Sequence, residues 1–246
     1  MSTPFIHTGS EGDNPRGEYR SEAYPGLRLV RGERHISVNL PGPVDALGSA
    51  VYGGGMVRLQ RMVNIYVDRF YRCDDPERDI RDLLQRWEYP LEMTAGLLTA
   101  VRLEHTAVAE ELDDEASVFI CATAGVSNGA RAGTARTTFP ADYVPGTINL
   151  IIAVDGRMTS AAMVNAIITA TEAKAAALAD LGVPDAENGL TATGTTTDAV
   201  IIGVSQNPAY GQLHPYAGTA THIGGRIGRL VYSAVREALA AAGVRR

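Results

Sequence analysis

Thr147-Ile-Asn-Leu-Ile-Ile-Ala-Val154, followed closely by Ser160-Ala-Ala-Met-Val-Asn-Ala-Ile-Ile-Thr-Ala-Thr-Glu-Ala-Lys-Ala-Ala-Ala-Leu-Ala-Asp-Leu181, decides the fold. The first run is apolar at nearly every position, which marks a strand buried on both faces. The second has the length and the alanine and leucine content of a helix, and Gly182 and Pro184 end it. Two further runs, Ser117–Ala124 and Ala199–Ser205, read like the first. Buried strands and a long helix therefore share the second half of the chain.

Upstream the pattern changes. Leu27–Arg31 and Arg34–Leu40 alternate, and Gly32-Glu33 between them suits a hairpin turn. Val63–Val67 also alternates and reads as a strand. Gly53-Gly54-Gly55 leads into strand rather than helix, so it fits neither a dinucleotide-binding nor a P-loop context. Asp75-Pro76 starts a helix that should run to about Trp87 and stop before Pro90. The last helix should run from about Gly225 to Ala242, with Ile227, Leu230, Val231, Ala234, Val235, Ala238 and Leu239 on one apolar face. Residues 1–25 are polar and are expected to form a flexible tail, leaving 26–246 as a single compact domain. Strands and helices mix without strict alternation. The expected class is α+β, with layered sheets of mixed strands packed with helices.

The chain has 246 residues, 45% of them hydrophobic, and a formal charge of −6. That balance argues against nucleic acid as a partner, because no basic stripe exists to neutralise phosphates. The stretches Arg78–Arg86 and Arg226–Arg236 read as solvated helix faces. Nothing approaches the roughly 18 apolar residues of a membrane span, and the N-terminus lacks a signal-peptide layout. The two cysteines, Cys73 and Cys121, have no ligand-like spacing and read as free thiols, so a cytoplasmic location is expected. His214 and His222 lack a third ligand nearby, and no metal site is expected.

Five segments offer chemistry. Thr169-Ala-Thr-Glu-Ala-Lys174 lies on the long helix. Successive residues there turn about 100°, which puts Val164, Ile167, Ile168, Thr171, Ala175 and Leu178 towards the core, with Lys174 on the edge of that side. Glu172 falls on the opposite edge, so the two charges do not pair locally. Thr193-Gly-Thr-Thr-Thr-Asp198 is a tight, hydroxyl-lined entry to a buried strand, where a nucleophile would need a base within reach. The glycine-rich loop Thr123–Gly133 offers Ser127, Asn128 and Arg131 to orient a polar substrate, and Pro145–Asn149 offers the Asn149 amide. Thr219, Thr221 and His222 stand at the mouth of the last helix, where backbone N–H groups favour an anion.

The segments SAVYGGG with Asn64 after it, TAGVSNGARAG, PGTINLIIAVD, SAAMVNAIITATEAKAAALADLGV, TATGTTTDAVIIGV and YAGTATHIGGRIGRLVYSAVREAL occur in order from about residue 45 to 240. Together they resemble the adenosylcobinamide amidohydrolase family, the CbiZ-type enzymes of corrinoid salvage. The family's pattern has Ser-Asn-Ala where this chain has Ser127-Asn128-Gly129. The resemblance implies hydrolysis of the amide that joins aminopropanol to the corrin ring, yielding adenosylcobyric acid. It implies a small-molecule corrinoid as the partner and no cofactor, since cobalt belongs to the substrate.

Amide hydrolysis needs a nucleophile, a stabilised oxyanion and an acid for the leaving amine. One route is water activated by Glu172 or Asp198, with Lys174 polarising the carbonyl or protonating the amine and Asn128 and Asn149 supplying hydrogen bonds. The other is covalent, through Thr195, Thr197 or Ser127. Thr171, Thr193, Gly194, Thr219 and Thr221 complete the expected substrate contacts. Two other readings stay open: a corrinoid-binding module without hydrolysis, and a hydrolase of a different amide. A homo-oligomer is left open as well.

Overall fold

The computed structural model describes residues 1–6, 17–72, 74–138 and 146–244. In chain order the elements are β1 (Glu18–Arg20), β2 (Arg28–Arg31), β3 (His35–Gly48), β4 (Gly55–Tyr66), α1 (Pro76–Arg86), β5 (Thr94–Thr99), β6 (Ala107–Leu112), β7 (Ser117–Ala124), β8 (Gly129–Ala130), β9 (Ile148–Asp155), β10 (Arg157–Met158), α2 (Ser160–Asp180), β11 (Gly194–Thr195), β12 (Ala199–Val204), β13 (Leu213–His214) and α3 (His222–Ala241). Among the described residues nine strands form one mixed sheet, in the order β1-β2-β3-β12-β9-β7-β6, with β4 beside β3 and β5 beside β4. The class is α+β, as expected.

The sheet divides at β3. Ile36–Asn39 pairs with β2, whereas Asp45–Gly48 pairs with β12. β4 follows both halves, and its register breaks between Asn39 and Val44. Pro41-Gly42-Pro43 occupies the break, where prolines cannot donate to a ladder. The sheet curls there, and its β2–β5 limb lies across the β7–β9–β12 limb.

Alternation along the central strands shows what each face buries. Val118, Ile120, Leu150, Ile152, Val200 and Ile202 pack with α2 and α3. Phe119, Cys121, Ile151, Ala153 and Ile201 pack instead against Leu29, Ile36, Val38 and Leu97 of the other limb. The near-continuous apolar runs thus have two buried faces, as their composition predicts. Burial of each large side chain stabilises by about 1.5–3 kcal/mol relative to exposure. On the outer side, Ile80 and Leu84 of α1 cover Val63 and Ile65 of β4. Asp75 caps α1 by accepting from the Arg78 backbone N–H, with Pro76 in the first turn.

A polar chain joins the two limbs. Asn149 Nδ2 donates to Asn64 Oδ1 and to the Leu98 carbonyl, both at 2.8 Å. Asn64 Nδ2 donates to Thr123 Oγ1 at 2.8 Å, and Thr147 Oγ1 lies 3.2 Å from Asn149 Oδ1. A buried polar group without a partner costs about 1–3 kcal/mol, so these side chains fix one another.

Several expectations need correction. The buried face of α2 is Ala162, Met163, Ala166, Thr169, Ala170, Lys174, Ala177 and Leu178, while Val164 and Ile168 are each 49% exposed. Alanines let α2 lie close to α3, and close approach outweighs the larger apolar side chains in setting the helix's rotation. The helix α3 begins at His222 rather than Gly225, capped by Thr221. A Cβ at Gly224 would lie 2.2 Å from the Ala217 and Gly218 carbonyl oxygens, so this glycine serves close packing and does not break the helix. Arg226 is buried rather than solvated. It donates to the Ala116 carbonyl at 2.8 Å and pairs with Asp113 and Glu111. The described parts of the expected tail pack against the sheet: Ser2 exchanges two backbone hydrogen bonds with Val108, Phe5 and Tyr24 are buried, and β1 pairs with β2. Two aromatic side chains and an open strand edge anchor what polar composition suggests is loose. Residues 7–16, Cys73 and Pro145 lie outside the described residues. Cys121 is a free, buried thiol, pushed up to about 12 by burial. No helix of the described residues is long and apolar enough to cross a membrane.

His35 ties α1 to the sheet. Its ring stacks on Trp87 at 4.0 Å, and Nε2 lies 2.9 Å from the Tyr89 hydroxyl. Burial, and then the nearby Arg61 charge, lower its pKa to about 4. The unfolded chain takes up this proton near pH 6.5 and the folded chain near pH 4, so His35 makes folding less favourable as pH falls across that window. Urea unfolding should show a loss of at most about 3 kcal/mol between pH 7 and pH 4 from this group. In His35→Phe that part of the slope disappears; an unchanged slope would contradict the assignment.

Candidate active site

The loop after β7, the start of β9, the start of β12 and the second half of α2 meet at one end of the central limb. The two loops are joined by a short ribbon, in which Gly194 pairs with Ala130 and Thr195 with Gly129. The Thr193 N–H donates to the Ala130 carbonyl, and the Ala132 N–H to Thr193 Oγ1, both at 2.9 Å. Between them lies a cleft of about 1140 Å³. That exceeds the roughly 300–1,000 Å³ of ordinary small-molecule sites.

Asp198 is the hub of the cleft floor. Its Oδ1 accepts from the Ile148 N–H at 2.9 Å and from the Thr195 hydroxyl. Its Oδ2 accepts from the Thr195 N–H at 3.0 Å and from Lys174 Nζ. One carboxylate therefore binds the start of β9, the threonine loop and α2 together. Lys174 is 5% exposed, well inside the margin expected of it. Gly194 makes room for the pair: a Cβ there would lie 2.5 Å from Asp198 Oδ2 and 2.8 Å from Lys174 Nζ.

The cleft brings together Ser127, Asn128, Arg131, Thr171, Glu172, Lys174, Thr193, Gly194, Thr195 and Asp198. Glu172 and Lys174 both reach it, on different terms: Lys174 is buried on Asp198, and Glu172 is exposed at the rim with no partner among the described residues. The Thr171 hydroxyl donates to the Ile167 carbonyl of its own helix at 2.8 Å.

Four expected residues lie elsewhere. The Thr197 hydroxyl donates to the Gly146 carbonyl and its own carbonyl accepts from Thr147 Oγ1, both at 2.8 Å, so it braces the loop. Asn149 spends both amide hydrogens between the sheet limbs and has none for an oxyanion. Thr221 caps α3, and the neighbouring His222 contacts Asp113 at 2.7 Å, before β7 begins; the cleft lies beyond the other end of β7. Thr219 precedes it in the same exposed loop.

The cleft also contains residues that no motif singles out. Thr196 faces it, and its Oγ1 accepts from Asn128 Nδ2 at 2.7 Å. Arg136 and Glu187 form part of a wall, with Arg136 paired to the buried Asp185 at 2.5 Å and to Glu187 at 3.2 Å. Burial alone would raise Asp185, but the Arg136 guanidinium and the Glu187 and Arg131 backbone N–H groups outweigh it and hold the carboxyl well below the usual range. A repeated threonine was the one available signal for Thr196. Arg136 and Asp185 stand 49 residues apart and carry no local pattern.

A sequence profile described as adenosylcobinamide amidohydrolase, CbiZ, matches residues 21–245. The chain belongs to the adenosylcobinamide amidohydrolase family. It is thus a hydrolase of an amide carbon–nitrogen bond. It is 34% identical over 206 residues to the adenosylcobinamide amidohydrolase of Methanosarcina mazei, covering 81% of this chain and 92% of that one. It is 33% identical to the Halobacterium salinarum protein of the same name, over 78% of each chain. Among solved structures, the L-aminopeptidase D-Ala-esterase/amidase of Ochrobactrum anthropi superposes with a TM-score of 0.44 at 12% identity, covering 92% of this chain and 83% of that one.

The Lys174–Asp198 pair makes a stability prediction. Lys174→Met leaves the Asp198 carboxylate buried without its counter-charge, which should lower unfolding free energy by about 3–5 kcal/mol. Denaturant titration reads this directly. A loss below about 1 kcal/mol, the value of an exposed pair, would show that the carboxylate does not depend on Lys174.

Proposed function

We propose that the chain hydrolyses the amide joining aminopropanol to the corrin ring's propionate side chain in adenosylcobinamide, or in its phosphate, and releases adenosylcobyric acid for corrinoid salvage. The observation that carries this reading is the Thr195–Asp198–Lys174 cluster at the floor of the large cleft. A hydroxyl that donates to a carboxylate gains electron density at oxygen and becomes a better nucleophile. The corrinoid is broad, and a wall of Gly, Ala and Thr lets it approach the backbone. Cobalt and the adenosyl group enter as parts of the substrate, and the hydrolytic chemistry runs on side chains.

In the reaction, Thr195 Oγ bonds to the amide carbon while its proton passes along the existing hydrogen bond to Asp198. The carbonyl electron pair moves onto oxygen. The oxyanion's pair then re-forms the carbonyl as the carbon–nitrogen bond breaks, Lys174 gives a proton to the leaving nitrogen, and Asp198 passes its proton to Lys174. Aminopropanol leaves and an ester on Thr195 remains. Water then attacks the ester, its proton returns by way of Asp198 to Thr195 Oγ, and the acid departs. Each carrier ends in its starting protonation state.

Asp198 has less to offer as a base for free water, because each carboxylate oxygen already accepts two hydrogen bonds. Glu172 supports a second reading: its unpartnered carboxylate at the rim can activate water directly.

Release of aminopropanol from adenosylcobinamide tests both. Thr195→Ala should lower turnover by about 10³-fold or more, as loss of a nucleophile does, with Thr195→Ser within about tenfold of the parent and Glu172→Gln within about threefold. Near-normal turnover in Thr195→Ala with a dead Glu172→Gln would transfer the role to Glu172-activated water. A changed corrin spectrum without release would leave only binding.

A further inference from the structure

Thr195 and Thr196 are adjacent, line the same cleft and carry the same side chain, yet their hydroxyls are held in opposite senses. The Thr195 hydroxyl donates to Asp198 Oδ1. The Thr196 oxygen accepts from Asn128 Nδ2 at 2.7 Å, and its own proton meets no acceptor among the described residues. Donating to a carboxylate makes an oxygen a stronger nucleophile. Accepting from an amide withdraws electron density and makes the O–H a stronger donor, since chained hydrogen bonds polarise one another. Asn128 is 5% exposed, so water does not compete for the amide that sets this polarity.

We infer that Thr196 is the donor to the scissile carbonyl oxygen, binding the oxyanion that forms when Thr195 attacks. Asn128 is the positioning residue: it occupies one lone pair of Thr196 Oγ1 and leaves the single hydroxyl proton for the cleft. The inference rests on amide hydrolysis at this cleft. It adds a catalytic group next to the nucleophile, which is where charge develops, and a fixed donor at that point acts without reorganisation. No bond to Thr196 forms or breaks.

The test uses the full chain with adenosylcobinamide and, as a binding probe, a cobinamide analogue bearing a phosphonate in place of the scissile carbonyl. Thr196→Val should lower kcat by about 10²–10³-fold, as loss of one oxyanion donor does, with KM within about threefold and phosphonate affinity falling in parallel with kcat. Thr196→Ser should restore both. If valine disturbs the turn, as unfolding midpoints would show, Thr196→Ala carries the same expectation. Loss of kcat with unchanged phosphonate affinity, or failure of serine to restore, would overturn the assignment, as would wild-type turnover in the valine variant. A parent chain that binds the phosphonate but releases no aminopropanol would instead defeat the reading on which this rests.

Discussion

Burying the Lys174 ammonium against the Asp198 carboxylate takes two charges out of water, and the surrounding backbone is arranged to offset that penalty. Two N–H groups and a hydroxyl complete the carboxylate's shell. A buried pair is favourable only where geometry and further hydrogen bonds satisfy both partners. Here the donors come from α2, the start of β9 and the loop before β12, so the pair also holds these segments in register. The cleft floor depends on all of them at once. Gly194 follows from the same constraint, since any side chain there would enter the pair's space.

The curled sheet makes that arrangement possible. β9 and β12 are parallel neighbours, so both begin at the cleft end, and β7, antiparallel to β9, finishes there. One end of three buried strands thereby presents three loops to α2. The Asn149–Asn64–Thr123 chain lies just beneath and pins the second sheet limb to the first. Cleft and core are coupled through Thr147, whose hydroxyl touches both Asn149 and the Thr197 carbonyl. The polar residues of this end thus divide into a layer that joins sheets and a layer that faces the cleft.

Much of this was legible in the chain. The two-sided strands declared themselves through unbroken apolar runs, and α1 and α2 through their caps and stops. The motifs around Lys174 and Asp198 stand out in the chain, and the fold brings both residues to one cleft. What was not legible followed from packing. In α2 nearly every position is small or apolar, so periodicity does not fix its rotation, and alanines lie inside where the pattern points to Val164 and Ile168. Asn149 and Ser127-Asn128 looked alike as amide and hydroxyl donors, but the twofold alternation of β9 turns Asn149 towards the other sheet limb. Thr219 and Thr221 had the composition of a site and sit at the far end of β7. Among the threonines of the 193–197 run, only hydrogen-bond partners set Thr195, Thr196 and Thr197 apart, and two of those partners, Asn128 and Gly146, come from distant segments.

The central claim is that the carboxylate-bound hydroxyl of Thr195 takes the acyl group. Rapid acid quenching during turnover of adenosylcobinamide, followed by mass measurement of the intact chain and of its proteolytic fragments, reads this most directly. The account predicts a transient adduct with the mass of the corrinoid acyl group, carried by the fragment containing Thr195 and absent in Thr195→Ala. Full product formation with no adduct at any quench time, together with undiminished turnover in Thr195→Ala, would contradict it.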